Sequence, residues 1–408
     1  MKVIARYDWL RGAFFRWGWL TPAVLPLTQL GGRGLFNALV NLYALWGLFS
    51  IWSRRDRLDP SVVLPYLALL GVFLLTIPGS VDPIGGLRTW MGFALQSLTL
   101  LLTLAALRES PTYSDRLLNG MALFGALTLG GLYLLLPYYA LGASGQPFNP
   151  VMQLREDNLP FLLPFLLGWL WWYSSPRWRY GAMASVTALV LAYVVIAEGR
   201  AALLGLIVGL MVFGGLTLEW QIRRIAGLAA LILAVGIAIN IGPFRKAELD
   251  PAHPLDAFTA GRTALWRQAL ANPPMQPWLG VGIGNGAHAG EVLRFDLGGE
   301  THQVKHLHNF LLDSWYETGL LGLSLLIALI SVVLIRLARV WRQLSMADRQ
   351  RAGVWLAAAS ALMTAGLLSF SYTSRQLSCY LFFCLGSLSY FGGSVKPPAG
   401  HDTGPDKR

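Results

Sequence analysis

The chain has 408 residues, of which 55% are hydrophobic and only 13% are charged; this charged fraction is about half that of a typical soluble protein. The composition excludes a water-soluble fold, and a mean hydropathy of +0.51 also excludes an intrinsically disordered chain. The formal net charge of +11 would suggest nucleic-acid binding in a soluble protein. In a membrane protein the same excess marks cytoplasmic loops, so we expect no nucleic-acid partner.

Long apolar segments recur along most of the chain. A helix needs about 20 apolar residues to cross the roughly 30 Å hydrocarbon core of a bilayer. By this measure the sequence predicts an all-α polytopic membrane protein with about twelve transmembrane helices. The predicted spans are 13–30, 35–53, 61–79, 88–107, 117–142, 159–174, 179–197, 201–217, 224–242, 309–335, 353–370 and 376–393.

The N-terminal residues contain no uninterrupted apolar run followed by a small-residue cleavage site. They therefore do not have the pattern of a removable signal peptide, and we expect the spans themselves to direct insertion into the membrane.

The distribution of basic residues predicts the orientation of these spans. Of the 32 Lys and Arg residues, 21 fall in segments that the span count places on one side of the membrane, whereas the short loops on the other side carry one each. Short cytoplasmic loops retain Lys and Arg, so both termini are predicted to be cytoplasmic. The predicted divisions are helices one to nine over 1–242, an outer loop over 243–308, helices ten to twelve over 309–393 and a cytoplasmic tail over 394–408.

The two cysteines of the chain, Cys379 and Cys384, lie inside the last apolar span. This position favours small buried core residues over a disulfide.

The outer loop 243–308 is the one long hydrophilic stretch and the first place to expect chemistry. Within it, the helical spacing of Leu265, Trp266 and Leu270 after Arg262 predicts an amphipathic helix near the membrane interface. Five of the six histidines also fall in this loop: His253, His288, His302, His306 and His308.

His306 and His308 stand at the start of the tenth predicted span. An imidazole there, half dehydrated but reachable from the outer solvent, is suited to general-base chemistry near neutral pH. A zinc site is a second interpretation, but the sequence offers no obvious third and fourth ligand. A structural pair that caps the helix is the third.

The segment from Gly280 to Gly286 reads Gly-Val-Gly-Ile-Gly-Asn-Gly, and it includes Gly282, Gly284 and Asn285. Glycine-rich loops can hold phosphates, but no strand-turn-helix unit and no Lys-Ser or Lys-Thr pair accompanies this one. A tight turn that returns the chain to the membrane is the favoured interpretation.

Three charged residues lie close to the predicted outer membrane face. Placing the guanidinium groups of Arg200 and Arg262 at membrane depth costs free energy unless each forms an ion pair or has a functional role. Their planar form suits the binding of phosphate oxygens. Alternatively, Arg200 pairs with Glu198 or extends to the interface, and Arg262 lies on a solvated helix face. Glu317, an acid inside a predicted span, is interpreted as a packing or supporting residue.

The ordered set of motifs over about 195–325 resembles the O-antigen ligase and O-antigen polymerase superfamily. The motifs are Glu198-Gly-Arg200, Gly261-Arg262-Thr-Ala-Leu-Trp266, Trp278-Leu-Gly-Val-Gly282-Ile-Gly284-Asn285, and His306-Leu-His308-Asn309 followed by Glu317-Thr-Gly319-Leu-Leu-Gly322. They arrive in the order of the family, with its large periplasmic loop between the ninth and tenth of twelve helices.

The resemblance, which is strongest to the lipopolysaccharide O-antigen ligase, implies a glycosyltransferase of the bacterial inner membrane with a GT-C-like architecture and a periplasmic active site. It implies transfer of O-antigen polysaccharide from undecaprenyl diphosphate to a sugar hydroxyl of lipid A–core, with inversion and without a metal or other cofactor. When the roles of the family's residues are carried over to the matching positions, the resemblance implies that Arg200 and Arg262 bind the donor diphosphate. It also implies that His308, or else His306, is the base. The supporting residues are Asn309, Glu317, Gly282, Gly284 and Asn285.

Three alternatives stay open at this point. An O-antigen polymerase and a protein O-oligosaccharyltransferase share the lipid-linked donor and differ in the acceptor. A lipid or polysaccharide transporter could also have twelve spans, but broken helices and paired charges near the midplane would be expected of it.

Overall fold

A computed structural model describes the fold of most of the chain. The described residues are 2–28, 30, 33–51, 58–110, 112–142, 158–197, 199–218, 259, 261–286, 294–297 and 300–393. The predicted ninth span, 224–242, lies outside them, as do His253, His288 and Glu198.

The described part of the chain is almost entirely helical. Its first ten helices are α1 (Lys2–Trp17), α2 (Leu20–Thr28), α3 (Arg33–Ile51), α4 (Pro60–Leu75), α5 (Pro83–Ser97), α6 (Thr99–Glu109), α7 (Thr112–Gly142), α8 (Leu159–Tyr173), α9 (Pro176–Ile196) and α10 (Arg200–Thr217). After 219–258 come α11 (Arg262–Ala271), strands β1 (Arg294–Leu297) and β2 (Glu300–Gln303), α12 (Phe310–Val340), a short 3₁₀ helix (Trp341–Gln343), α13 (Met346–Ser369) and α14 (Arg375–Gly393).

Seven helical segments among the described residues are long and apolar enough to cross a bilayer, and α4 and α8 are shorter apolar helices. The protein is therefore a multi-pass membrane protein, as predicted. The number twelve stays a prediction, because the ninth span is not described.

Two predicted spans are each divided into two helices. The first, 13–30, is interrupted between Trp17 and Leu20, where α1 ends and α2 begins. The fourth, 88–107, begins earlier, at Pro83, and is interrupted at Leu98 between α5 and α6. Apolar length alone does not reveal such breaks, because both halves remain apolar.

The starts of α4 and α5 follow the rules for helix N-termini. Each helix has proline in its first turn, and the aspartate before it, Asp59 or Asp82, accepts a hydrogen bond from a backbone N–H of that turn. The aspartate satisfies one of the amides that the helix cannot pair, and proline needs no such partner.

Small residues bring α10 and α13 into close contact. A Cβ atom added at Gly205 would lie 2.7 Å from the carbonyl oxygen of Ala361, and one added at Gly209 would lie 2.9 Å from the Cβ of Ala361. Further along, Gly353 faces Thr217. The two helices are thus antiparallel, with the backbones in the close approach that small residues permit in membranes. Arg200, at the start of α10, consequently lies at the same end of the bundle as Ser369, at the end of α13.

Helix α14 is buried along nearly its whole length and packs against α5, α6, α12 and α13. Cys379 and Cys384 are buried there as free thiols, which confirms the prediction that they are core residues.

A short antiparallel hairpin, which was not predicted, is formed by β1 and β2 before α12. Arg294 pairs with Gln303, and His302 pairs with Phe295. The described chain is therefore mainly, but not purely, helical.

Candidate active site

The segment from His306 to His308 forms a tight turn immediately before α12. The two imidazole rings lie against each other, with centroids 4.1 Å apart and a 48° angle between their planes. The backbone N–H of His308 donates to Nδ1 of His306 at 3.2 Å. The two histidines of the motif are therefore in direct contact in the structure.

His308 has a left-handed backbone conformation, with φ of 53°. Among the described residues it is the one non-glycine residue with positive φ. This conformation is uncommon for a residue with a Cβ atom and persists where the surroundings enforce it, often at functional sites.

The imidazole of His308 is tied to the end of α13. Its Nδ1 lies 3.3 Å from the carbonyl oxygen of Ser369. A carbonyl oxygen only accepts, so Nδ1 carries the proton, and in the neutral ring Nε2 holds the lone pair. This is the tautomer in which Nε2 can take a proton from a substrate.

Asn309 is the N-cap of α12. Its Oδ1 accepts from the backbone N–H groups of Leu311 at 3.0 Å and Leu312 at 3.1 Å. Asn309, the residue that follows His308, therefore acts as a cap that fixes the start of α12 at Phe310.

Glu317 lies buried on α12 and is surrounded by donors. Its Oε2 accepts from the N–H of Gly284 and from the hydroxyl of Tyr372, both at 2.8 Å, and its Oε1 accepts from the N–H of Gly286 at 3.1 Å. An ionised carboxylate, which only accepts, suits this arrangement. The amides of the glycine-rich segment are thus directed to a side chain of the protein itself.

The glycine-rich segment makes the turns that were predicted for it. Gly280, Gly282 and Gly284 all have positive φ, between 69° and 99°. The buried side chain of Asn285 accepts from the N–H of Asp82 at 2.7 Å, and the N–H of Ile283 donates to Thr76 at 3.1 Å. The segment is therefore fixed to the turn between α4 and α5.

Helix α12 is broken at Gly319, where φ is 68° and ψ is −170°. The backbone around the break is paired with residues 277–282, which include the start of the glycine-rich segment. Before the break, the carbonyls of Tyr316 and Glu317 accept from the N–H groups of Val281 and Gly282. After it, the N–H groups of Leu320 and Leu321 donate to the carbonyls of Pro277 and Trp278. These bonds replace those that the continuous helix would have made.

Helix α11 confirms the helix predicted after Gly261 and contacts the turn that carries the histidines. The indole N–H of Trp266 donates to the carbonyl oxygen of Leu307 at 2.8 Å, and Leu265 is buried in the same small cluster as Leu307. Arg262 lies one helical turn before Trp266 on the same side of the helix. Leu270, expected on the apolar face, is instead exposed.

The structure brings His306, His308, Asn309 and Glu317 to one end of α12. It places Arg200 at the same end of the bundle, through the antiparallel contact of α10 and α13, and Arg262 on the helix that contacts Leu307. Whether either guanidinium binds phosphate stays a prediction.

Sequence patterns did not identify three residues of this site: Asp313, Ser369 and Tyr372. An acid in the first turns of a helix is common, so Asp313 carried no distinctive signal. Ser369 contributes a backbone carbonyl, and the hydroxyl of Tyr372 reaches Glu317 across 55 residues of sequence. Neither relationship is visible in the sequence.

Within the described ranges, no group of three or more His, Cys, Asp and Glu side chains is arranged to hold a metal ion. One acid approaches the pair: Oδ2 of Asp313 lies 3.8 Å from Nδ1 of His306.

Part of the chain matches a known protein family. Residues 185–327 match a family model described as O-antigen ligase, and this range contains α10, α11, the glycine-rich segment and the first half of α12. No curated protein matches the chain. The match supports a glycosyltransferase-like activity of the ligase or polymerase type on lipid-linked polysaccharide. The resemblance of this chain to the O-antigen ligase and polymerase superfamily is therefore confirmed, with residues 185–327 as the part that carries it.

Proposed function

We propose that this protein is an O-antigen ligase of the bacterial inner membrane. It transfers polysaccharide from undecaprenyl diphosphate to a sugar hydroxyl of lipid A–core on the periplasmic side, which completes lipopolysaccharide. The observation that carries the proposal is the 3.3 Å contact between Nδ1 of His308 and the carbonyl oxygen of Ser369. His308 lies inside the range that matches the ligase family. It leaves Nε2 as the atom that takes the proton of the acceptor hydroxyl.

The dimensions of α12 support a site at the level of the lipid head groups. The part from Gly319 to Val340 is about 33 Å long at the rise of an α-helix, which is enough to cross the hydrocarbon core. Its far end carries Arg336 and Arg339, as expected for the cytoplasmic side. His308 precedes the break, at the opposite end, where the diphosphate of a membrane-anchored donor lies.

The transfer is a single displacement. As the acceptor oxygen forms its bond to the anomeric carbon, its proton passes to Nε2 of His308. The bond from that carbon to the phosphate oxygen breaks, and undecaprenyl diphosphate leaves with the electron pair. Attack opposite the leaving group inverts the anomeric configuration. General-base assistance of this kind contributes about 10²–10⁴ to the rate.

In this mechanism Arg200 and Arg262 bind the diphosphate of the donor. The leaving group gains negative charge as the glycosidic bond breaks, so fixed guanidinium groups stabilise the transition state more than the bound donor. Two such groups can perform the task that a divalent cation performs in other transferases. Arg200 at the start of α10 and Arg262 at the start of α11 approach from two different elements.

One structural feature favours the transporter alternative, since broken helices often mark transport sites. In α12, however, the break lies in the first third of a 31-residue helix. Its backbone groups are paired with 277–282. This break fixes the outer loop against the helix, which fits an enzyme with its site on one face.

Reconstitution with defined acceptors tests the proposal. The purified protein in liposomes receives undecaprenyl-diphosphate-linked O-antigen with lipid A–core, a second lipid-linked glycan or a pilin-like protein, and the His308→Ala protein serves as the matched control. We expect glycan on lipid A–core only, at a rate that EDTA does not change. Elongation of the second lipid-linked glycan would identify a polymerase, modification of the protein an oligosaccharyltransferase, and no transfer to any acceptor would contradict an enzyme of this class.

A further inference from the structure

The carboxyl group of Asp313 lies beneath the turn that carries the two histidines. Asp313 is buried in the first turn of α12. Its Oδ1 accepts from the backbone N–H of Leu307 at 2.8 Å, and its Oδ2 lies 3.8 Å from Nδ1 of His306. One side chain thus reaches the residue between the histidines and also approaches one of their rings.

Side chains hold two consecutive backbone N–H groups of this turn and cap the helix that follows it. The N–H of Leu307 donates to Asp313, the N–H of His308 donates to His306, and Asn309 caps the first turn of α12. Between the first and last of these anchors, His308 is held at φ of 53°. A left-handed backbone conformation is unfavourable for a residue with a Cβ atom and needs surroundings that enforce it.

We propose that Asp313 is a positioning residue for glycosyl transfer. By binding the N–H of Leu307, it holds the 306–308 turn in the conformation in which Nδ1 of His308 reaches the carbonyl oxygen of Ser369. The assignment of His308 as base rests on the proposed function. The effect of Asp313 on the turn does not, so the two can be tested separately.

This role needs an acceptor atom at the position of Oδ1 rather than a charge. In Asp313→Asn, Oδ1 can still accept from the backbone N–H of Leu307, so the bond that holds the turn is retained without the charge. In Asp313→Ala, the buried N–H of Leu307 loses its partner. Ser314→Ala is a matched control, because Ser314 is equally buried in the same turn but its hydroxyl lies 3.4 Å from that of Thr318, away from the histidines.

Two measurements on the full-length protein in lipid nanodiscs test the inference. Hydrogen–deuterium exchange reports whether the amides of 306–309 stay protected, and it requires no substrate. The rate of transfer of lipid-linked O-antigen to lipid A–core, measured at varied donor concentration, reports the consequence for catalysis. Because a displacement of about 1 Å in a reacting group can cost on the order of 10²-fold, we expect Asp313→Ala to lower kcat by about 30–100-fold with KM changed less than about threefold.

The expected pattern is rapid exchange at 306–309 and low kcat in Asp313→Ala, with both properties near the wild type in Asp313→Asn and Ser314→Ala. Unchanged exchange in Asp313→Ala overturns the inference, and so does rapid exchange with an unchanged kcat. Loss of kcat in Asp313→Asn with normal exchange would show that the charge acts in the chemistry, which also overturns a positioning role. If the wild-type protein transfers no glycan, the proposed function fails, while the exchange data still decide whether Asp313 holds the turn.

Discussion

The hydroxyl of Tyr372 donates to Oε2 of Glu317 at 2.8 Å, and this bond joins α12 to the turn that follows α13. Burial raises the pKa of Tyr372 well above its ordinary value, and the nearby Glu317 raises it further, so the hydroxyl keeps the proton that it donates. Ser369, three residues earlier, holds His308. The site and the glycine-rich segment are therefore connected through one carboxylate.

Replacing Glu317 should disturb this connection. In Glu317→Gln a single amide oxygen replaces two acceptors, and the amide N–H₂ must face one of the three donors. We expect a loss of about 1–3 kcal/mol in the free energy of unfolding, whereas Tyr372→Phe should cost about 1 kcal/mol, because Gly284 still donates to Oε2. Thermal unfolding of both single variants and the double variant measures the coupling, and additive losses would contradict the bond.

The two histidines should differ in their effect on transfer. His308→Ala removes the base and should lower the rate by about 10³-fold or more, while His306→Ala removes the acceptor of the His308 N–H and should lower it by only about 10-fold. Gln303→Ala, an exposed change just outside the turn, is the control. Normal membrane insertion of all three proteins is expected, and a larger loss with His306→Ala than with His308→Ala would reverse the assignment.

Substitution of Arg200 and Arg262 tests whether these residues bind the donor diphosphate. If a guanidinium binds two phosphate oxygens, lysine cannot replace it, because an ammonium group is a single point of charge. We expect Arg262→Lys and Arg200→Lys each to lower kcat/KM by about 10-fold or more, whereas Arg267→Lys on the exposed side of α11 should have little effect. Kinetics at varied donor concentration provide the measurement, and full activity of Arg262→Lys would exclude a bidentate contact.

Most helix positions were predictable from the sequence, because apolar length and flanking charge specify a membrane helix. Helices α7 to α10 and α12 to α14 contain the predicted spans to within one residue at either end. The breaks at Leu98 and Gly319 were not predicted, since an apolar helix and two apolar half-helices have the same composition.

The site was predictable as a set of residues but not as a set of contacts. His308, Asn309 and Glu317 could be recognised from their motif, yet the partner of Glu317 turned out to be the glycine-rich segment more than 30 residues earlier. That contact depends on the path of the chain between the glycine-rich segment and α12, which no local pattern encodes. The glycine-rich segment therefore has a structural role, the binding of Glu317 by its backbone N–H groups, that only the folded structure shows.

The break in α12 should tolerate no side chain. A Cβ at Gly319 would lie 2.2 Å from the carbonyl carbon of Trp278, at a residue with φ of 68°. The backbone must move and the conformation is strained, so we expect Gly319→Ala to cost at least about 2 kcal/mol in the free energy of unfolding. Gly92→Ala in α5, where a Cβ meets nothing within 4 Å, is the control, and equal thermal stability of the two variants would contradict the close approach.

An ion-pair cluster at the other end of the bundle predicts how stability depends on pH. Asp59 Oδ2 lies 2.5 Å from Nη2 of Arg336 and 3.2 Å from Nη2 of Arg108, which joins the start of α4 to the ends of α6 and α12. Partial burial opposes ionisation of Asp59, but hydrogen bonds from Ser61 and the charge of Arg336 outweigh it and lower its pKa from 3.8 to about 2.

A carboxyl group whose pKa is lower in the folded protein stabilises the fold above its unfolded pKa and loses that effect as the pH falls through the folded pKa. Asp59 should therefore contribute fully above about pH 5 and progressively less between about pH 4 and pH 2. Asp59→Asn removes the charge at every pH, so its Tm should lie below that of the wild type at pH 7 and approach it near pH 2. Thermal unfolding in detergent across this range measures the difference, and a gap that stays constant with pH would show that the ion pairs do not stabilise the fold.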